Sequence, residues 1–566
     1  MISAQAAAEP ADSAEPAGPA GQAEPADQAE PAGQAGSAPA GTRAGSVDTA
    51  LRTRWALVAA ALGGLALAAS FPPFGIWPFA VAGPALLVLA LHGRSLRGSL
   101  LTGLVFGLAF FMPLISWLVN VAWYAWAALA IAEALIFAVL TIGQRVLLRL
   151  RFWPVAVAGW WVATEGIRDR WPWAFPWGRL AMSQADAPDA RWMAIGGAPW
   201  LTFLLALTGA LIAWAVLRVL ASRRAAAVPV LTAVGTAGLV LAIGLVPLDP
   251  AGHVPTARVA AIQGDVPRAR NLPQQLNDMA VTANHADATL KLAGQVRAGQ
   301  QPRPDIVLWP ENSTDIDPSE DPAIYDEIQQ AVSAVGRPVL AGEVLDNPRR
   351  NVGQLWIPGG GPGELYVKRQ LVPFGEYIPL RGFIAAFSSL PSLQPVNFTP
   401  GTRAVVFPVG QIRLGDVICY EVGFDPLVRS EVTAGANLLT VQSNDADFEI
   451  DGQSGESTQQ VAMARLRAVE SDRAVVYVST TGESAIIAPD GRVLTRSGLW
   501  QQAILTARVP LVNYLTLADR IGQWPEYVIG VLTVLALALA AGIGSRARGS
   551  MRWNPLRIRE DRRARQ

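Results

Sequence analysis

The 566-residue chain holds one cysteine (Cys419), three histidines and two lysines, Lys291 and Lys368, against 43 arginines. A lone cysteine cannot close an intramolecular disulfide. Its ordinary reading is a small buried hydrophobe; its other reading is a nucleophile. It ends the apolar run Leu414-Gly415-Asp416-Val417-Ile418 and is followed by Tyr420-Glu421, so a strand meets a polar corner there. His92, His253 and His285 are scattered without metal-ligand spacing, so no metal site, cofactor or histidine-based triad is expected. A thiol would then need a carboxylate and an amine. The run Ile306-Val307-Leu308-Trp309-Pro310 ends on Glu311. A carboxylate at a strand end against a Trp suits general-base work, with a plain loop carboxylate as the alternative. Tyr366-Val367-Lys368 supplies an amine. In an Arg-dominated chain a retained Lys suggests that a compact point charge is wanted, able to lower a thiol pKa and to hold an oxyanion. A surface Lys is the alternative.

The elements that would carry these residues are of two kinds. Charged residues are 16% of the chain, below the roughly 25% usual in soluble proteins, while 51% are hydrophobic and 19 are Trp. This balance predicts a membrane protein with a soluble portion, and the zero net charge gives no signal for nucleic acid. Residues 1–50, rich in Ala, Pro and Gly with repeated Glu-Pro, predict a disordered tail. Seven apolar stretches follow in 51–247, near 54–71, 75–92, 99–118, 121–146, 152–167, 196–218 and 227–246, and an eighth lies in 523–545; each approaches the about 20 residues that a span requires. Arginine clusters at 43–54, 94–97, 145–151, 218–224 and 546–566 share one side of an eight-span chain. That side is cytoplasmic by the positive-inside rule, which puts both termini in the cytoplasm and 248–522 outside it. The exception is the loop after the fifth span, where Arg168, Arg170, Arg179 and Arg191 sit among Glu165, Asp169, Asp186 and Asp189 and are expected to pair. Aromatics such as Trp123-Tyr124 and Trp171-Pro172-Trp173-Ala174-Phe175-Pro176-Trp177 crowd the outward ends, as headgroup-level anchors or as a lipid-access surface.

In 248–522 short β-branched runs alternate with amphipathic helices. Strands are expected at Arg258–Gln263, Asp305–Trp309, Pro338–Ala341, Leu414–Cys419, Asn437–Gln442, Ala474–Ser479 and Ala485–Ala488, and helices near 272–298, 322–335, 425–434 and 456–471. The alternation predicts a layered α/β domain.

The order Glu311, Lys368, Cys419, with the flanks Trp-Pro-Glu, Tyr-x-Lys and Cys-Tyr-Glu, resembles the nitrilase (carbon–nitrogen hydrolase) superfamily. The segments Leu371-Val372-Pro373-Phe374-Gly375-Glu376-Tyr377-Ile378-Pro379 and Ser443-Asn444-Asp445-Ala446, with seven spans before and one after, look like the apolipoprotein N-acyltransferase family. The resemblance implies a polytopic α-helical membrane domain of about eight spans joined to an extracytoplasmic αββα nitrilase-like sandwich. It also implies Glu311 as general base, Lys368 as oxyanion stabiliser and Cys419 as the nucleophile that forms a thioester. Glu376 would orient the triad, Tyr420 would help to shape the acyl pocket and Glu421 would support the cysteine loop. The implied partners are a membrane phospholipid as acyl donor and a diacylated apolipoprotein as acceptor, in a bacterial cytoplasmic membrane, with the protein acting as a monomer. The chain departs from the family at Asp447-Phe448-Glu449, where members often carry Trp-Phe-Gly. Residues 380–397, with Phe383, Phe387, Leu390 and Leu393, are a candidate apolar lid or ordinary core. Two rival readings are a membrane-tethered amidase and a transporter or scaffold with an inactive domain; the eight spans weigh against the first, and the complete Glu-Lys-Cys set weighs against the second.

Overall fold

The computed structural model describes residues 50–246, 254–267, 273–385, 395–449 and 455–550, with side chains to Gly542. The expected tail up to residue 49 and the basic end after residue 550 lie outside the described residues, as do Phe387, Leu390 and Leu393.

A helix forms at each of the eight apolar stretches: α1 (Thr53–Ala69), α2 (Phe79–Leu91), α3 (Leu96–Leu114), α4 (Trp123–Leu147), α5 (Trp153–Arg168), α6 (Met193–Ala221), α7 (Ala227–Ala242) and, at the far end of the chain, α14 (Trp524–Ser550). Five of these regions are long and apolar enough to cross a membrane: Leu96–Leu114, Trp123–Leu147, Pro188–Ala221, Ala227–Leu245 and Trp524–Gly542. α1 and α2 are shorter apolar helices. Of the charges after α5, Arg179 and Asp169 pair with each other as expected, while Arg168 and Arg170 reach carboxylates elsewhere in the chain. Arg168 meets Glu133 at 2.6 Å, Arg170 meets Glu526, and Arg179 meets Asp169 at 3.2 Å and Asp425 at 2.8 Å.

The intervening region forms two six-stranded sheets. The first has the order β12-β1-β2-β3-β4-β5, from β1 (Thr256–Gln263), β2 (Ile306–Leu308), β3 (Val339–Asp346), β4 (Arg349–Ile357), β5 (Gly361–Val367) and β12 (Ala503–Pro510). The second has the order β11-β10-β9-β8-β7-β6, from β6 (Val406–Val409), β7 (Ile412–Ile418), β8 (Leu438–Ser443), β9 (Val475–Ser479), β10 (Ala485–Ile487) and β11 (Val493–Arg496). β1, β2 and β3 are parallel, as are β7, β8 and β9. Such strands are covered on both faces, so they read as unbroken apolar runs rather than alternating ones; Ile306, Val307 and Leu308 are all fully buried.

Three clusters explain that burial. Val259, Ile306, Leu308, Phe407, Leu414, Ile418 and Val476 fill the space between the sheets, and Cys419 lies in this cluster. Val307, Trp309 and Val339 pack instead with Leu292 of α8 (Gln274–Arg297) and Ile324 and Ile328 of α9 (Pro322–Val335). Val417, Leu439 and Tyr477 face the other way, toward Val461 and Leu466 of α12 (Glu456–Ser471). That cluster continues without a break into Phe106, Phe110, Trp161 and Trp177 of the helical part. Helices α1 to α6 and the second sheet therefore share one core. The short helix α10 (Arg381–Ala385) lies within the candidate lid; Leu380 and Phe383 are 78% and 68% exposed, so this part is not core packing. Two further α-helices among the described residues are α11 (Asp425–Thr433) and α13 (Leu517–Ile521).

Candidate active site

Each of the three candidate catalytic residues lies just past a strand. β2 delivers Glu311, β5 delivers Lys368 and β7 delivers Cys419. Ligands in open α/β sheets favour the crevice beyond the carboxyl ends of the strands. The turn after β2 lies directly on β3, because Gly342 leaves room for it: a Cβ there would stand 2.2 Å from the Pro310 carbonyl oxygen and 2.7 Å from the Glu311 Cα. The Gln442 amide of β8 donates to the Trp309 carbonyl at 2.6 Å and ties this turn to the second sheet.

The structure brings Lys368, Glu311 and Glu376 into direct contact. Lys368 Nζ lies 2.8 Å from Glu311 Oε1 and 3.0 Å from Glu376 Oε1, and its side chain is 1% exposed. Asn351 of β4 repeats the bridge, with Nδ2 donating to the same two oxygens at 2.7 and 2.9 Å. The remaining carboxylate oxygens are held by main chain: Glu311 Oε2 accepts from Asn444 N at 2.9 Å, and Glu376 Oε2 from Val372 N at 2.7 Å. Burial alone would lower the Lys368 pKa, but the Glu311 and Glu376 carboxylates override it and hold the ammonium well above the usual lysine range. Lys368 is thus a fixed positive charge.

Cys419 opens a 3₁₀ turn, Cys419–Gly423, with φ +52°. That left-handed conformation is uncommon for a residue with a side chain, and strained residues of this kind concentrate at functional sites. Burial pushes the thiol well above its ordinary pKa; the Glu311 charge adds to this and Lys368 opposes it. The resting group is therefore a thiol, and it needs a base before it can attack. Glu421 secures the turn. Its Oε2 accepts from Ile418 N (2.9 Å) and Tyr366 Oη (2.8 Å), and its Oε1 from Arg369 N (2.7 Å) and Gln370 N (3.0 Å). One buried carboxylate so fastens the loop of Lys368 to the loop of Cys419.

Tyr420 points toward the helical part. Its hydroxyl donates to the Ala174 carbonyl at 2.7 Å, and its ring stacks on Trp177 at 5.4 Å. Trp177 stacks in turn on Phe175 at 5.8 Å, so the buried end of the loop after α5 forms an aromatic wall on Tyr420, the residue that follows Cys419. Gly423 permits this approach, since a Cβ there would stand 2.6 Å from Pro176. Trp171 of the same loop is 64% exposed, as are Trp123 at 69% and Phe74 at 71%. The atypical Asp447-Phe448-Glu449 segment is also anchored: Phe448 meets Trp117 edge-on at 5.2 Å, its carbonyl accepts from Asn120, and Glu449 accepts from Ser457 at the start of α12.

Asn351 carries no motif and was not among the expected site residues. Only the pairing of Glu343, Val344 and Leu345 in β3 with Val352, Asn351 and Arg350 in β4 brings it to the carboxylates.

Comparison with known proteins adds a second line of information. Residues 63–211 match the model of the apolipoprotein N-acyltransferase N-terminal domain, and residues 328–517 match that of the carbon–nitrogen hydrolases. An apolipoprotein N-acyltransferase of Mycolicibacterium smegmatis is 37% identical over 86% of this chain and 85% of its own. One from Pseudomonas putida is 31% identical over 86% of this chain and 96% of its own. Among solved structures, the Nesterenkonia AN1 amidase from the nitrilase superfamily is 20% identical, with a TM-score of 0.34, over 48% of this chain and 96% of the amidase. In the two curated relatives the shared sequence is long enough to run through both the apolar helices and the domain that holds Cys419, and the chain belongs to the apolipoprotein N-acyltransferase family.

Proposed function

We propose that this chain transfers an acyl chain from a membrane phospholipid, through a thioester on Cys419, to the α-amine of the diacylglyceryl-modified N-terminal cysteine of apolipoproteins, the last step of lipoprotein maturation. The observation that carries this reading is the buried Lys368 ammonium held between Glu311 and Glu376 next to a cysteine turn, under an aromatic wall from the helical part. In the first half-reaction Glu311 takes the Cys419 proton and the sulfur attacks the ester carbonyl. Lys368 and backbone amides near Cys419 hold the oxyanion. The ester C–O bond breaks, and the lysophospholipid leaves with the proton carried by Glu311. In the second, the lipoprotein amine attacks the thioester and loses a proton to Glu311. The C–S bond breaks and Cys419 recovers its proton. Glu376 orients Lys368, Glu421 holds the cysteine loop and Tyr420 borders the acyl chain.

The reading extends to the whole chain. All eight apolar helices span a bacterial cytoplasmic membrane, the two sheets and their helices form an αββα sandwich on the extracytoplasmic face, and both termini are cytoplasmic. The Arg clusters beside the apolar stretches support that orientation. The test is to supply purified protein with phospholipid plus a diacylated lipopeptide, or with small amides. Triacylated peptide as the main product supports acyl transfer; turnover of the amides alone identifies an amidase.

A further inference from the structure

Cys419 has a neighbour that the Glu-Lys-Cys scheme does not use. Gln460, fully buried in the second turn of α12, points its carboxamide at the sulfur, with Nε2 3.5 Å from Sγ. The same nitrogen donates to Oε1 of Glu456, one turn earlier on the same face of the helix. An amide has two N–H groups on one nitrogen, so one faces Glu456 while the other faces sulfur. The amide is held at both ends: the Ser443 hydroxyl donates to Gln460 Oε1 at 3.5 Å and Glu456 Oε1 accepts from Nε2, which leaves the NH₂ end toward Cys419.

Glu456 is suited to this task because it is neutral. Burial pushes its carboxyl well above the usual range, and Asp445 beside it adds to the effect. Glu456 thus carries a proton that it shares with Asp445 and keeps Oε1 as an acceptor for Gln460. Asp445 is itself held by the hydroxyls of Ser443 (2.8 Å), Ser479 (2.5 Å) and Tyr477 (3.1 Å). A charged Glu456 would add a negative charge near a sulfur that must become a thiolate. The titratable groups that bear on Cys419 are Glu311, Lys368, Glu456 and Asp445.

We propose that Gln460 is a further catalytic residue, whose amide N–H holds the Cys419 sulfur and bears on the thiolate as it forms, and that Glu456 is the positioning residue that orients this amide. No proton leaves Gln460; the thiol proton still passes to Glu311. The proposal rests on Cys419 being the nucleophile of the acyl-transfer reading.

The experiment is the rate of Cys419 alkylation by iodoacetamide between pH 7 and 9 in the full-length protein, alongside acyl-adduct formation from phospholipid vesicles. A hydrogen bond to a charged group is worth about 1.5–3 kcal/mol, roughly tenfold to a hundredfold. Gln460→Met is therefore expected to slow alkylation and acylation by about tenfold or more and to move the alkylation profile to higher pH. Glu456→Ala should give the same shift with Gln460 still present, so a poorly folded Gln460→Met does not decide the matter. Glu456→Gln keeps a neutral acceptor toward Gln460 and a donor toward Asp445, and should restore the profile that Glu456→Ala loses. Gln460→Met and Glu456→Ala profiles that superpose on wild type overturn the proposal. Shifted profiles in a protein whose wild type forms no acyl adduct support Gln460's hold on the sulfur and overturn the acyl-transfer reading instead.

Discussion

Replacing Lys368 by Met keeps an unbranched side chain, one atom shorter, and deletes the ammonium with its hydrogen bonds to Glu311 and Glu376. Glu311 and Glu376 then face each other with the Asn351 amide between them and no cation. Removing one partner of a buried ion pair costs about 3–5 kcal/mol, because the other partner is left uncompensated. Lys368 is 1% exposed and serves two carboxylates, so the full range applies. The pair can relieve its repulsion by taking up a proton, and a proton shared with Glu311 removes the base. The oxyanion loses its cation at the same time, which alone is worth about a hundredfold to a thousandfold in rate. We expect acyl-adduct formation from phospholipid to fall by at least about a hundredfold, the equivalent of roughly 3 kcal/mol. The residual activity should rise toward higher pH, as the carboxylate pair gives up its extra proton. The assay is time-resolved intact mass of detergent-purified protein across pH 6–9, with thermal melting as the control for folding. Wild-type rates and an unchanged pH profile in a folded Lys368→Met variant would refute the role assigned to the ammonium.

Lys368→Arg should also be inactive, since a planar fork does not fit a site built around a point charge; acyl-adduct formation tests it. Glu421→Gln turns part of a four-bond acceptor into a donor, so at least one of Ile418 N, Tyr366 Oη, Arg369 N and Gln370 N is left buried and unmatched. At about 1–3 kcal/mol per unmatched group, the Cys419 and Lys368 loops should loosen, read as faster hydrogen exchange at 366–370 and 418–421. Trp177→Ala removes the ring stacked on Tyr420, and kcat/KM should fall more for long-chain than for short-chain phospholipid. His285 is fully buried against Trp309, and burial lowers its pKa to about 4 from a usual 6.5. The unfolded chain binds the extra proton first as pH falls, so this contribution is complete above pH 6.5 and is lost toward pH 4, by about 3 kcal/mol in all. The melting temperature of His285→Leu should therefore drop less than that of wild type over this window.

The chemistry was more legible than its scaffold. Cys419, Glu311 and Lys368 stand out because each is rare or abruptly placed, and parallel strands such as Ile306–Leu308 and Val475–Ser479 announce themselves by unbroken apolar runs. β4 and β5 did not: Asn351, Gly353 and Gln354 are buried yet polar or bare, because the face that carries Asn351 and Gly353 lies against Glu311 and Asp416. β12 pairs antiparallel with β1 at the end of its sheet and buries only Leu505 and Val509 along its length, so it lacks the pattern of a core strand. Asn351 and Gln460 acquire meaning only from contacts across 25 to 41 positions of sequence, which no local pattern records. The wall of Phe175, Trp177 and Tyr420 is of the same kind, since it joins the loop after α5 to a turn 246 residues further on.

The central claim is that Cys419 carries the acyl group. Purified protein mixed with phospholipid and no acceptor should gain the mass of one acyl chain, mapped to the peptide of Cys419 and released by hydroxylamine. Adding a diacylated lipopeptide should remove it as triacylated product appears. Undiminished transfer by Cys419→Ser, or an adduct on any other residue, would contradict the account.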